Sequence, residues 1–187
     1  MRHLIAGLCI ALLLSGCSTL NLDTAARLRA LDYLRDDIAS LLIAFDLPRG
    51  LAPIENASTL SFDVVLSGKG ERHVKAVLVR AEADDVAANL AAPGTGRAYY
   101  LLGFVESDQA AIRAAQSWAR SNVGVSSDAT ITLAPRFCES DAIDPKQVTV
   151  TVLVALPGHT QLAPLIDRQP LADTLAASGG SDLPACA

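Results

Sequence analysis

The chain has 187 residues, 51% of them hydrophobic and only 4% aromatic, with 20 Asp+Glu against 15 Lys+Arg for a formal net charge of −5. That length supplies one ordinary domain with a real core, built from Ala, Leu, Val and Ile rather than from rings. The net acidity leaves no electrostatic footprint for nucleic acid or for anionic lipid headgroups.

The first element is the apolar run Leu4 to Leu14, behind a positive start at Arg2 and His3. Its 11 residues make about 16 Å of helix, against roughly 30 Å of bilayer hydrocarbon, so it cannot span a membrane. A buried core helix has no reason to sit behind a basic N-terminus. A basic start, a short apolar middle and a small-residue exit are instead the three-part layout of a secretory signal peptide. The exit, Leu14-Ser15-Gly16-Cys17, resembles the lipobox of bacterial lipoproteins, in which diacylglycerol is attached to the cysteine thiol and the signal is cut just before it.

That resemblance covers the first 18 residues. It implies a signal peptide of residues 1–16 that is removed, and a mature chain beginning at Cys17 with two acyl chains and commonly a third on its amino group. Residues 17–22 then form a lipidated start and short tether, and residues 23–187 a single periplasmic domain. One acyl chain holds a membrane only marginally, at about 0.8 kcal/mol per buried CH₂, whereas two or three anchor stably. Ser18 stands where an aspartate would, in enteric bacteria, mark inner-membrane retention, so the outer membrane is the expected location. For the remaining domain no family resemblance is evident.

From Asp23 the residues Leu28, Leu31, Leu34, Ile38 and Leu41 or Leu42 recur at three- and four-residue steps, with Arg27, Arg29, Asp32, Arg35 and Asp36 largely between them. This periodicity predicts one amphipathic helix. Its acids match its bases, so it is expected to pack on a core rather than lie on a membrane, where a Lys/Arg-rich polar face is usual. Leu41 to Leu47 could continue it or begin a strand, with Ile43 and Phe45 favouring the strand, and Pro48-Arg49-Gly50 breaks the element either way.

Leu60, Phe62, Val64 and Leu66 alternate with Ser61, Asp63 and Val65, and Ser67-Gly68-Lys69-Gly70 turns the chain into His73 to Ala81, a predicted hairpin. Ala98 to Val105 reads as a buried strand. Ser107 is placed to cap a second helix, Asp108 complements its positive end, and Ala111, Ile112, Ala115, Trp118 and Ala119 form its apolar stripe. Trp118, the sole tryptophan, is read as core. Ile131, Leu133 and Phe137 mark a further strand, shortened by Pro135. In Gln147 to Leu156, alternate valines face one side with Thr149 and Thr151 opposite, which predicts a central strand. The expected fold is α+β, an antiparallel or mixed sheet of about five or six strands with two main helices on one face.

Cys9 leaves with the signal and Cys17 becomes the anchor, so an oxidising compartment retains Cys138 and Cys186 as an expected disulfide. It would pin the tail Ala177 to Asp182. Two distant cysteines without a neighbouring histidine are a poor metal site.

Chemistry is sparse. The chain has no Gly-x-Ser-x-Gly elbow, His-Glu-x-x-His, phosphate-cradling Gly-rich loop or Cys-x-x-Cys, so neither cofactor nor metal is expected. His73 and His159 read as ordinary surface histidines, Pro93 to Arg97 as a solvated loop rather than an anion-binding turn, and Glu139, Asp141 and Asp144 as a solvated acidic loop without full calcium-loop spacing. The expectation is a non-catalytic lipoprotein that binds an envelope partner near its own membrane through a sheet edge or helix face. Two rivals are a periplasmic hydrolase, which needs His73 or His159 to meet a carboxylate and a nucleophile in one cleft, and a carrier of a lipid or small apolar ligand, which needs an unfilled cavity.

Overall fold

The computed structural model describes residues 20–122, 124–177 and 183–186. In chain order it forms α1 (Leu22–Ala30), a 3₁₀ turn (Ile38–Ser40), β1 (Leu42–Pro48), β2 (Leu51–Pro53), β3 (Thr59–Leu66), β4 (Gly70–Arg80), α2 (Asp84–Ala87), β5 (Arg97–Phe104), α3 (Glu106–Arg120), β6 (Ser127–Ala134), β7 (Phe137–Glu139), β8 (Thr149–Ala155), β9 (Leu162–Pro170) and α4 (Leu171–Ala177). Seven strands pair antiparallel in the order β6-β3-β4-β5-β1-β8-β9, and β2 and β7 form a separate two-stranded sheet. The class is α+β, with more strands than the sequence pattern announced.

The register explains the core. Ile43 lies between Leu102 and Val154, Phe45 between Tyr100 and Val152, and Phe62 between Val74 and Ile131. Antiparallel partners share a face, so these rows merge into one apolar surface across the sheet. Phe45 and Phe62 are fully buried in it. α3 packs over β3 and β4, while α1 meets β9 and α4 meets β8 and β9. The helices are therefore divided along the sheet instead of standing as one pair.

The predicted first helix is cut short. α1 ends at Ala30, Leu31 turns extended (φ −60°, ψ 134°), and Asp32 and Asp36 capture nearby backbone amides: Leu34 N–H donates to Asp32 Oδ1 and Asp32 N–H to Asp36 Oδ2. Local side-chain acceptors compete with helical hydrogen bonds, which is why the three- and four-residue spacing survives without a continuous helix. Leu28, Leu31, Leu34 and Ile38 still pack on the core. The carbonyls left over are satisfied from α3: the buried Gln116 amide donates to Tyr33 and Asp36, and Arg120 to Leu34.

The hairpin forms at its predicted turn, with Gly68 and Gly70 at φ 71° and 98°, a region that favours glycine. α3 begins one residue earlier than its expected cap. Val105 is its N-cap, without a side-chain bond, and Ser107 lies inside the first turn. Asp108 instead reaches across to accept the Val77 N–H at 2.7 Å. β5 ends opposite Leu78, so this carboxylate serves a strand amide beyond its last pairing. Pro135 separates β6 from β7, so Phe137 belongs to the small sheet with β2 rather than to the strand of Ile131. β8 is internal but not central. β5 holds the middle place, and β9, whose prolines hid it, covers β8 from outside.

Candidate functional site

The end of the described chain nearest Cys17 is fastened to the sheet. Asn21 is a favoured N-cap residue, and its Oδ1 accepts the N–H of the buried Thr24 at 2.9 Å. Its own N–H donates to Leu165 O at 2.9 Å, and Leu20 bridges to Ile166. The fastened residues, Leu20 and Asn21, belong to the segment expected to be a tether, residues 17–22. Leu22, at 73% exposure, and Leu20 are two of the four large apolar side chains exposed among the described residues. Cys17 and the lipobox lie outside the described residues.

Two open grooves flank the irregular segment after α1. One, of about 430 Å³, lies between α1 and the β8–β9 turn, with Leu31, Val154, Leu156 and Leu162 as apolar wall and Arg27 and His159 among its polar residues. The other, about 510 Å³, runs from Asp32 and Arg35 to the end of α3 and the start of β6 at Ser127.

Neither histidine sits in an acid–base constellation within a cleft. His159 lines the first groove, and no carboxylate is among the described residues that line it. His73 pairs through Nδ1 with Asp63 across the β3–β4 register, as a carboxylate that orients an imidazole does. However, the two side chains are 62% and 35% exposed, and Thr130, the next residue in that row, lies beyond Asp63 rather than at Nε2. A hydrolase needs its nucleophile on the imidazole and water held back, whereas this pair lies on an exposed part of the sheet.

Arg97, from the candidate anion-binding turn, is committed elsewhere. Its Nε donates to Asp46 Oδ1 at 2.7 Å, and Nη2 to the carbonyls of Asp46 at 2.7 Å and Thr149 at 3.1 Å. Tyr99 lies opposite Asp46. Burial, then the Asp46 charge, push its phenol above the ordinary value, with Arg97 opposing. A raised folded pKa means the associated stability is present below about pH 10, tyrosine's ordinary range, and is lost as pH rises through the folded value. Absorbance titration of Tyr99, isolated by Tyr33→Phe and Tyr100→Phe, should therefore run high, and Asp46→Asn should lower its midpoint; an unmoved midpoint would rule out the Asp46 contribution.

Of the three carboxylates expected in one acidic loop, Glu139 instead ends β7, where it accepts the Ile143 N–H, and Asp144 accepts the Lys146 N–H, so two of the three shape the loop after that strand. Among the described residues no group of three His, Cys, Asp or Glu side chains is placed to hold a metal. Cys138 and Cys186 are joined as a disulfide closing 48 residues, with Cα atoms 4.9 Å apart. Cys186 N–H donates to Glu139 O, so the C-terminal end lies along β7. Of the tail Ala177 to Asp182, all but Ala177 lies outside the described residues.

What sequence reading missed is the contrast between the two sheet edges. β9 carries Pro164, Asp167, Arg168 and Pro170 and is bridged by Leu20. β6 reads Ser-Asp-Ala-Thr-Ile-Thr-Leu-Ala, with one charge and no proline, and among the described residues no strand pairs on its outer side. Unguarded edges of this kind are templates for another strand, and the signal was available in the alternation around Thr130, Ile131 and Thr132. No protein-family model, curated protein or solved structure matches the chain.

Proposed function

We propose that this protein is a membrane-anchored periplasmic lipoprotein, acylated at Cys17, that acts as a non-catalytic binding module at the surface of its own membrane and presents the outer edge of β6 to a partner. The observation that carries the reading is the fastening of Leu20 and Asn21 to β9 beside two exposed leucines. Three residue steps separate Cys17 from Leu20, a reach of about 10 Å, so an acylated Cys17 brings the domain against the lipid headgroups and Leu20 and Leu22 with it. Among the described residues no helix is long and apolar enough to cross a membrane. The open face around His73 favours binding over hydrolysis.

Two measurements test the reading. Growth of the native host with labelled palmitate should label the wild-type protein and not Cys17→Ala; an unlabelled wild type refutes the anchor. Hydrogen exchange in isolated envelopes should protect the outward amides of Ala129, Ile131 and Leu133. Free exchange there refutes the docking edge.

A further inference from the structure

We propose that the partner for β6 is a second copy of this chain, paired antiparallel about a two-fold axis at Ile131. The inference deepens the proposed function and rests on its docking edge.

The backbone phase of β6 follows from one bond. Ser67 N–H donates to Ser126 O, so residue 126 points its polar groups at β3. Direction alternates along a strand, hence Asp128, Thr130, Thr132 and Ala134 also serve β3, and Ser127, Ala129, Ile131 and Leu133 aim theirs outward. An axis at Ile131 sets these outward residues opposite one another: Ile131 meets the partner's Ile131, and Ala129 meets the partner's Leu133, each as a hydrogen-bonded pair.

Side chains agree with that register. Ala129, Ile131 and Leu133 are half-buried on the core side, and Thr130 and Thr132 are exposed on the other. Pairing continues the apolar face with Ala129–Leu133 and Ile131–Ile131 contacts, and sets Thr130 against the partner's Thr132, all favourable cross-strand combinations. The single charge, Asp128, falls opposite the partner's Ala134, so like charges never meet. A slip of one residue opposes outward amides to inward ones and apolar side chains to threonine. At the chosen axis Pro135, which has no N–H, falls at the rim opposite the partner's Ser127, whereas slipping by two sets Leu133 opposite Ser127 in one direction and moves Pro135 inward to face Ala129 in the other. The edge is thus self-complementary at one register, as a two-fold contact requires. Confinement of both copies to one membrane raises the frequency of encounter.

The test uses the full-length chain purified in detergent. Thr130 and the partner's Thr132 form a non-hydrogen-bonded pair with Cα atoms about 4.5 Å apart, within disulfide reach. Mild oxidation of a mixture of Thr130→Cys and Thr132→Cys should give a covalent dimer that is lost in either variant alone. Adding Ala129→Pro, which removes an outward N–H, should abolish it. Thr130→Lys/Thr132→Lys, at two exposed positions that face Asp63 and Ser61 across β3, is the companion variant that keeps the fold, and the like charges it sets opposite one another across the two-fold should leave the chain monomeric in sedimentation. Absence of the dimer in the mixture, or equal dimer in the single variants, overturns the self-pairing. Absence of the dimer with the outward amides still protected in native envelopes overturns it and leaves the docking edge standing; absence of both removes the docking edge as well.

Discussion

Phe45→Ala should destabilise the domain by about 3–5 kcal/mol, the range for deleting a fully buried phenylalanine ring. Phe45 is 0% exposed in β1, the strand that joins the β5 side of the sheet to the β8 side, with Tyr100 and Val152 as its neighbours across the register. Its ring meets Phe137 edge-on, with centroids 5.4 Å apart and planes at 86°, so the same side chain also holds the small β2–β7 sheet against the main one. Such a pair contributes about 0.5–1.5 kcal/mol beyond buried area. With aromatics at 4% of the chain, the aliphatic neighbours that must refill the space are short, and a residual cavity is expected. Denaturant titration measures this as a lower midpoint at unchanged slope, because the surface exposed on unfolding stays nearly the same. Leu22→Ala serves as the reference: at 73% exposure it should move stability by less than about 0.5 kcal/mol. A Phe45→Ala loss no larger than the reference would contradict the placement of this ring at the junction of the two sheets.

The elements that were readable in the sequence are those whose burial alternates cleanly. β3 buries Leu60, Phe62, Val64 and Leu66 with little in between, and its turn into β4 follows from two glycines. α3 kept most of its apolar stripe, with Ile112, Ala115 and Ala119 buried and Trp118 packed beside them under Arg72, whose guanidinium lies 4.9 Å from the ring, while Ala111 is exposed and the buried Gln116 takes a place in the inner face. Misreadings arose where a local pattern was satisfied by tertiary contacts. Helical spacing from Leu28 to Ile38 is produced by a short helix and a loop because Gln116 and Arg120, 80 to 86 residues from the carbonyls they meet, supply the donors that a continuous helix would have supplied itself. β9 was illegible because its two prolines and its charges are edge-strand features that also describe a loop. For the candidate site, a pattern that gives the strand does not give its neighbours: which edge is left unpaired depends on strand order, and strand order is set by long-range register.

Removing the disulfide with Cys138→Ser/Cys186→Ser should cost about 4 kcal/mol, the chain-entropy expectation for a closure of 48 residues. The bridge restrains the unfolded chain most, since few folded contacts depend on it directly: Glu139 N–H to Pro184 O and Cys186 N–H to Glu139 O, both at 2.9 Å. Those two bonds should fray in the variant, so proteolysis near Leu183 to Cys186 ought to accelerate well before global unfolding. A second contribution passes through β7. Cys138 pairs with Ala52, and its neighbour Phe137 is the residue that meets Phe45. A bridge acting on the unfolded chain alone would make the cysteine and Phe45→Ala losses additive, whereas a bridge that also holds Phe137 in place makes the disulfide worth less once the Phe45 ring is gone. A double-mutant cycle separates these, and a coupling above about 0.5 kcal/mol is expected because the two sites share β7. Strict additivity would confine the disulfide to tethering the C-terminal end, with no part in seating the aromatic pair.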